Sequence, residues 1–234
     1  MTSLKNVVSA KFNMFSLPPN QYIREVVKKN QIVLHHTASG KGVDGDWRHW
    51  LNTKARIATC VIIDYSGDIN QMFSSHFWGY HLGIKSTSLR NYPNSLDNVS
   101  LEKNSIAIEI DSWGGLKKIN NKWVAWPNDF GKSGKATIIP NEDVIEYPEG
   151  FRGFNGFEKY TKEQIETVRQ LLTWWELTHG IEIKYNSDIW DMCPRALRGE
   201  SGVFTHCSYR SDKSDIHPQP ELIKMLKSFG NVSA

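Results

Sequence analysis

The sequence predicts a single α/β domain, on three observations. Short apolar runs rich in β-branched residues recur at Gln31–His35, Cys60–Asp64 and Asn104–Ile110, and runs of that length bounded by polar or turn residues read as buried strands. One long amphipathic pattern runs from Thr161 to His179. The chain of 234 residues fits one large domain, long enough to bury a core without a staple of disulfides or metal.

In chain order, residues 1–30 form a lead-in in which Tyr22–Lys29 is a short helix or an arm. Gln31–His35 is the first buried strand, ending on two histidines. Trp47, Trp50 and Leu51 then recur at helical spacing within residues 44–57, with Asp44 or Asp46 available as cap. Cys60–Asp64 is the second strand, closed by a Ser66-Gly67 turn, and Asp68–Phe73 returns as its hairpin partner. Asn104–Ile110 is the third strand. From about residue 111 to 157 Gly, Asn, Lys and Pro dominate, interleaved with Trp113, Trp123, Trp126, Phe130, Phe151, Phe154 and Phe157. This reads as a loop-rich insertion with one hairpin, and a structureless stretch of that length inside a domain is usually functional or mobile. In the helix that follows, Thr161 and Gln164 make a capping-box pattern, Ile165, Val168, Leu171, Leu172 and Trp175 line one face, and Gly180 closes it. Ile181–Tyr185 reads as a strand and Glu221–Phe229 as a terminal helix behind Pro218 and Pro220. The domain therefore spans residues 31–228.

Composition narrows the function. Twenty-eight Lys+Arg against 25 Asp+Glu leave a net charge of +3, far from the clustered basic excess of a nucleic-acid-binding domain. No run of about 18 apolar residues exists, so no membrane-spanning segment is expected. Met1–Asn20 is polar and broken by Pro18-Pro19, so synthesis in the cytoplasm without a secretory signal is expected. Three cysteines without a CxxC pair argue against a disulfide framework, and Cys60 and Cys207 read as buried structural thiols. The nine tryptophans fall partly on helices and partly in the insertion. There Trp113, Trp123 and Trp126 are candidates either for a surface that stacks on sugars and peptides or for a local mini-core.

The titratable candidates gather in three places: His35-His36-Thr37 at a strand end, Glu109 at the end of Asn104–Glu109, and His206 followed by Lys213, Asp215 and His217. Histidines and a carboxylate drawn from distant strand ends and loops are the raw material of a catalytic zinc site, which uses three protein ligands and keeps a fourth position open. Adjacent strand residues face opposite sides, so at most one of His35 and His36 faces a given site. His217 rivals Asp215 as third ligand. His81 is a candidate for a supporting or substrate-contacting role.

Ile32–Ala38, Tyr80-His-Leu-Gly83, Asn104–Glu109, and His206 with Lys213-x-Asp215 resemble, in order and spacing, the type 2 N-acetylmuramoyl-L-alanine amidases, a family that includes phage endolysins and peptidoglycan-recognition proteins. The resemblance covers about residues 30–228, interrupted by the insertion. It implies a central mixed β-sheet of about five strands flanked by helices, and His35, His206 and Asp215 as ligands of Zn2+. It further implies Lys213 as the oxyanion-stabilising cation and Glu109 as the residue that activates or positions the attacking water. His81, Trp123 and Trp126 are assigned to substrate binding. Thr59 stands where other branches carry a catalytic tyrosine, which leaves Glu109 as the obvious base. The expected function is zinc-dependent hydrolysis of the amide between N-acetylmuramic acid and L-alanine of peptidoglycan. The expected setting is a monomeric phage endolysin or other lytic enzyme that meets peptidoglycan or a muropeptide, and neither nucleic acid nor membrane. Two rivals remain: a peptidoglycan-binding module without turnover, and a zinc peptidase cutting within the stem peptide.

Overall fold

The computed structural model describes residues 7–126 and 136–229. The first six residues of the lead-in and Phe130 of the insertion lie outside the described residues. The core is a six-stranded mixed sheet built from β1 (Phe12–Met14), β2 (Gln31–His36), β3 (Val61–Ile63), β4 (Ile69–Gln71), β5 (Ser105–Ile110) and β11 (Gly202–Thr205), in the order β1-β4-β3-β5-β2-β11. Strands β3, β5, β2 and β11 run parallel, and β4 returns antiparallel to β3 as the hairpin expected after the Ser66-Gly67 turn. Ile32, Val33, Leu34, Ile62, Ile63, Ile108 and Ile110 are wholly buried. A central parallel strand is covered on both faces, which is why these runs are continuously apolar rather than alternating.

Helix α4 (Lys162–His179) begins with the expected capping box, Thr161 accepting from the Gln164 N–H and the Gln164 side chain accepting from the Thr161 N–H. The Gln164 amide then donates to the carbonyls of Ile63 and Asp111, so the helix start is tied to the ends of β3 and β5. Gly180 at φ 68° stops it in the left-handed conformation that glycine adopts without penalty. The remaining helices are α1 (Val43–Asn52), α2 (Ser86–Leu89), α3 (Asn98–Asn104), α5 (Pro194–Leu197) and α6 (Pro220–Ser228). Among the described residues no helix is long and apolar enough to cross a membrane.

Several expectations are corrected. The insertion is not loop-rich: residues 115–158 include a second, wholly antiparallel sheet of β6 (Gly115–Ile119), β7 (Lys122–Ala125), β8 (Ile138–Ile139), β9 (Val144–Phe151) and β10 (Phe154–Glu158), ordered β8-β7-β6-β10-β9. It closes over its own small core of Leu116, Trp123, Ala125, Ile139 and Val144. The central sheet has six strands, in keeping with the about five expected. Ile181–Tyr185 forms no strand, although Ile181 and Ile183 are buried at alternate positions, because no ladder partner lies beside them. Helix α1 starts behind Gly42 with no side-chain cap; Asp46 instead accepts from the Ser39 hydroxyl.

Candidate active site

The register of the central sheet builds the site. β2 pairs with β5 so that His35 stands beside Glu109, and β11 pairs with β2 so that Thr205 stands beside Leu34. His206 therefore leaves β11 one step further on, next to His35. Three candidate side chains thus come side by side at the carboxyl ends of three adjacent parallel strands, where open α/β sheets habitually place their ligand sites. Asp215 arrives from the loop after β11. His35 Nδ1 lies 3.0 Å from His206 Nδ1 and 3.1 Å from Asp215 Oδ2, and His206 Nδ1 lies 2.7 Å from that same oxygen. Among the described residues these three form the one group of histidine, cysteine or carboxylate side chains arranged to hold a metal ion.

The outer ring nitrogens show which protons are where. His206 Nε2 lies 2.9 Å from the Leu82 carbonyl oxygen, which can only accept, so Nε2 carries the proton. The Ser105 hydroxyl donates to the Leu101 carbonyl, so it accepts from His81 Nε2 at 2.8 Å. That leaves His81 Nδ1 as acceptor for His35 Nε2–H at 3.1 Å. Burial, reinforced by the neighbouring His206, pulls the His35 imidazole down to about 4, so it is neutral at neutral pH. The two Nδ1 atoms and the Asp215 carboxylate oxygen face one another at about 3 Å. Two imidazole nitrogens and a carboxylate oxygen gathered at one point are a donor set that fits a divalent metal ion. Burial alone would raise the Asp215 carboxyl, but the interactions with His206 and His35 outweigh it and hold it well below the usual carboxylate range.

Glu109 is half-buried, and its buried Oε2 has no hydrogen-bond partner among the described residues. Burial first, then the negative charge of Asp215, raises its carboxyl well above the ordinary range. Thr59 lines the same cleft, but its hydroxyl is tied to the Val61 carbonyl at 3.2 Å. The cleft encloses about 420 Å³, and Lys213 lines it with Glu109 and the three converging groups. The second sheet and the residues that flank its strands add Trp113, Trp126 and Phe154 to the lining. Trp126 is 51% exposed and meets Phe154 edge-on at 5.9 Å.

The other candidates take different parts. Trp123 was expected to touch substrate, but it is 3% exposed inside the small core, where Gly156 leaves room: a Cβ there would stand 2.5 Å from the indole ring. His81 lines the cleft, but its side chain is only 4% exposed and is hydrogen-bonded to His35, which favours a supporting part. His217 is not in the metal-ready group. Its Nδ1 meets the Tyr147 hydroxyl at 2.8 Å, its Nε2 meets the Glu158 carbonyl at 3.1 Å, and its ring stacks on Phe157. It joins the second sheet to the loop that carries Asp215. His36 points away from His35 and accepts from the Ile216 N–H at 3.0 Å. The Cys207 thiol donates to the carbonyls of Lys213 and Asp215, a structural role within the same loop. Sequence reasoning missed Phe154 as a cleft wall, and Glu102 and Ser105 beneath the histidines; the Phe151/Phe154/Phe157 spacing was the available signal for the first.

No protein-family model matches the chain, and no curated protein matches it by sequence. Solved structures do. A selenomethionine derivative of AmpD matches over 97% of this chain and 99% of its own, with 12% identity and a TM-score of 0.51. The PlyG catalytic domain matches over 94% of each chain, with 11% identity and a TM-score of 0.50. LysC, an N-acetylmuramoyl-L-alanine amidase from Clostridium intestinale URNW, matches over 93% of this chain and 98% of its own, with 11% identity and a TM-score of 0.45. The AmpD and PlyG matches show that the chain shares their fold over nearly its whole length, the mixed sheet flanked by helices expected from the sequence.

Proposed function

We propose that this protein is a zinc-dependent N-acetylmuramoyl-L-alanine amidase, hydrolysing the amide between N-acetylmuramic acid and L-alanine of peptidoglycan as an endolysin or related lytic enzyme. The observation that carries the reading is the convergence of His35 Nδ1, His206 Nδ1 and Asp215 Oδ2 in one cleft with Glu109, whose buried Oε2 has no partner among the described residues. The sequence resemblance and the shared fold support it. Two imidazoles and a carboxylate are a zinc donor set; tetrahedral ligands at about 2.0–2.1 Å from the ion stand roughly 3.3 Å apart, close to the separations of 2.7–3.1 Å found here. When bound, Zn2+ supplies positive charge that lowers the pKa of water to about 7 and polarises the scissile carbonyl.

The chain's own residues do the rest. Glu109 accepts the proton of the attacking water and returns it to the departing alanine nitrogen, so the C–N bond breaks with a neutral amine leaving. Lys213 stabilises the oxygen that becomes anionic as the carbonyl turns tetrahedral. Trp126, with Trp113 and Phe154, offers flat apolar faces in the lining of the cleft for the sugar or stem peptide.

Mass spectrometry of purified peptidoglycan after digestion tests the reading. Free L-alanine amino termini with intact glycan strands are expected, abolished by exhaustive chelation and restored by Zn2+. Cleaved stem peptides would replace the amidase by a peptidase, and an absence of products would leave a binding module. Activity that survives metal removal would overturn the zinc assignment.

A further inference from the structure

We propose that Glu102 is a positioning residue for the metal-binding histidines: its buried carboxylate holds the His81–Gly83 turn, and through that turn sets the ring orientation and proton position of both His35 and His206. This rests on the metal-site reading above.

Glu102 lies near the end of α3 and is wholly buried. Its Oε2 accepts the His81 N–H at 2.8 Å, its Oε1 accepts the Gly83 N–H at 3.0 Å, and the Leu82 N–H lies 3.1 Å from both oxygens. Three successive backbone N–H groups converge on one carboxylate, with Gly83 at φ 60° bending the chain so that they can. Successive N–H groups curled in this way form a concave anion site. A buried carboxylate without a Lys or Arg partner is costly, so a turn built around one is a specific arrangement rather than a filler.

Two hydrogen-bond branches leave that turn. The Leu82 carbonyl accepts His206 Nε2–H at 2.9 Å. His81 Nδ1 accepts His35 Nε2–H at 3.1 Å, with His81 Nε2 anchored on Ser105 Oγ at 2.8 Å. One carboxylate therefore stands behind both imidazoles, and each turns its Nδ1 toward Asp215 and the proposed metal position. Partners that hold the outer N–H of a ligating histidine fix its tautomer and orientation. Glu102 lies three residues before Ser105, which opens the strand that carries Glu109, so one segment places the proposed base and braces the ligands.

The test is Glu102→Gln. A glutamine side chain has one accepting oxygen and one NH2 group, which would face a backbone N–H across the turn. The variant should bind Zn2+ about 10–100-fold more weakly, the range typical of lost outer partners, in a competition titration of metal-free protein against a chromophoric chelator. Nitrogen NMR of the imidazoles should show His35 and His206 passing from single Nε2–H tautomers to mixtures. Val168→Ala, a core change in α4, serves as the control: it should lower the melting temperature and leave Zn2+ affinity and tautomers alone. Wild-type affinity and unchanged tautomers in folded Glu102→Gln would overturn the proposal, as would a loss of affinity no larger than that of Val168→Ala at matched loss of stability. Ser105→Ala decides if Glu102→Gln fails to fold: it should disturb the tautomer of His35 and spare His206, and an undisturbed His35 would overturn the proposal. Failure of the wild-type protein to bind Zn2+ would instead sink the metal reading itself.

Discussion

Glu109 and His35 are cross-strand partners at the ends of β5 and β2, and that pairing underlies the role proposed for the glutamate. Parallel neighbours in register face the same side, so the half-buried carboxyl reaches the cleft beside His35. Glu109→Gln keeps the shape and removes the base. The expected outcome is a loss of kcat of about 10²–10⁴-fold with KM and zinc stoichiometry retained, measured by release of L-alanine amino termini and by metal analysis of the purified variant. Wild-type turnover would remove Glu109 from the mechanism. That His35, His206, Asp215, Lys213 and Glu109 belong to one candidate site was legible in the sequence, because residue type, order and spacing carry a motif, and the five line one cleft. Glu102 and Ser105 were not, because their part depends on which N–H or hydroxyl meets which acceptor, and that is a property of geometry. His81 was legible as a site residue, but its hydrogen bond to His35 was not, for the same reason.

The inserted sheet divides the insertion tryptophans by element. Trp123 sits within β7 and packs into the small core, while Trp126 follows the end of that strand and lies open to the cleft. Trp123→Ala should cost about 3–5 kcal/mol of stability, read by denaturant unfolding. Trp126→Ala should stay within about 0.5 kcal/mol of wild type and weaken co-sedimentation with insoluble peptidoglycan. Unchanged binding by Trp126→Ala would remove the aromatic wall from the substrate site. This element was hidden in the sequence because its glycines look like turn residues. Gly115 and Gly156 are strand positions where a Cβ would stand 2.7 Å from the Phe154 ring and 2.5 Å from the Trp123 ring, so they serve packing. Ile181–Tyr185 misled in the opposite direction: buried alternation is necessary for a strand but a ladder partner completes it.

At the scale of the whole molecule, Asp111 ties the loop after β2 to the end of β5, its Oδ2 accepting the Gly42 N–H at 2.8 Å. Burial pushes its carboxyl up to about 7, against about 3.9 in an unfolded chain. Between those values the folded state holds more protons than the unfolded state, so this group makes stability fall as pH rises from about 4 to about 7. Asp111→Asn keeps an acceptor for Gly42 and cannot ionise. Its stability relative to wild type, from urea unfolding of metal-free protein, should therefore rise across that interval and level off above it. A difference that is constant with pH would show that Asp111 is not raised. The sequence by itself determined the α/β class, the buried parallel strands, the capped α4 helix and the ordered motifs, because periodicity, capping chemistry and apolar runs are local and written in a few neighbouring residues. Only the tertiary structure decided which of five histidines share one point in space, which tryptophan faces the cleft, and that the insertion is a sheet. Those outcomes depend on strand register and on contacts between residues a hundred or more positions apart, such as the approach of His35 to His206 and Asp215.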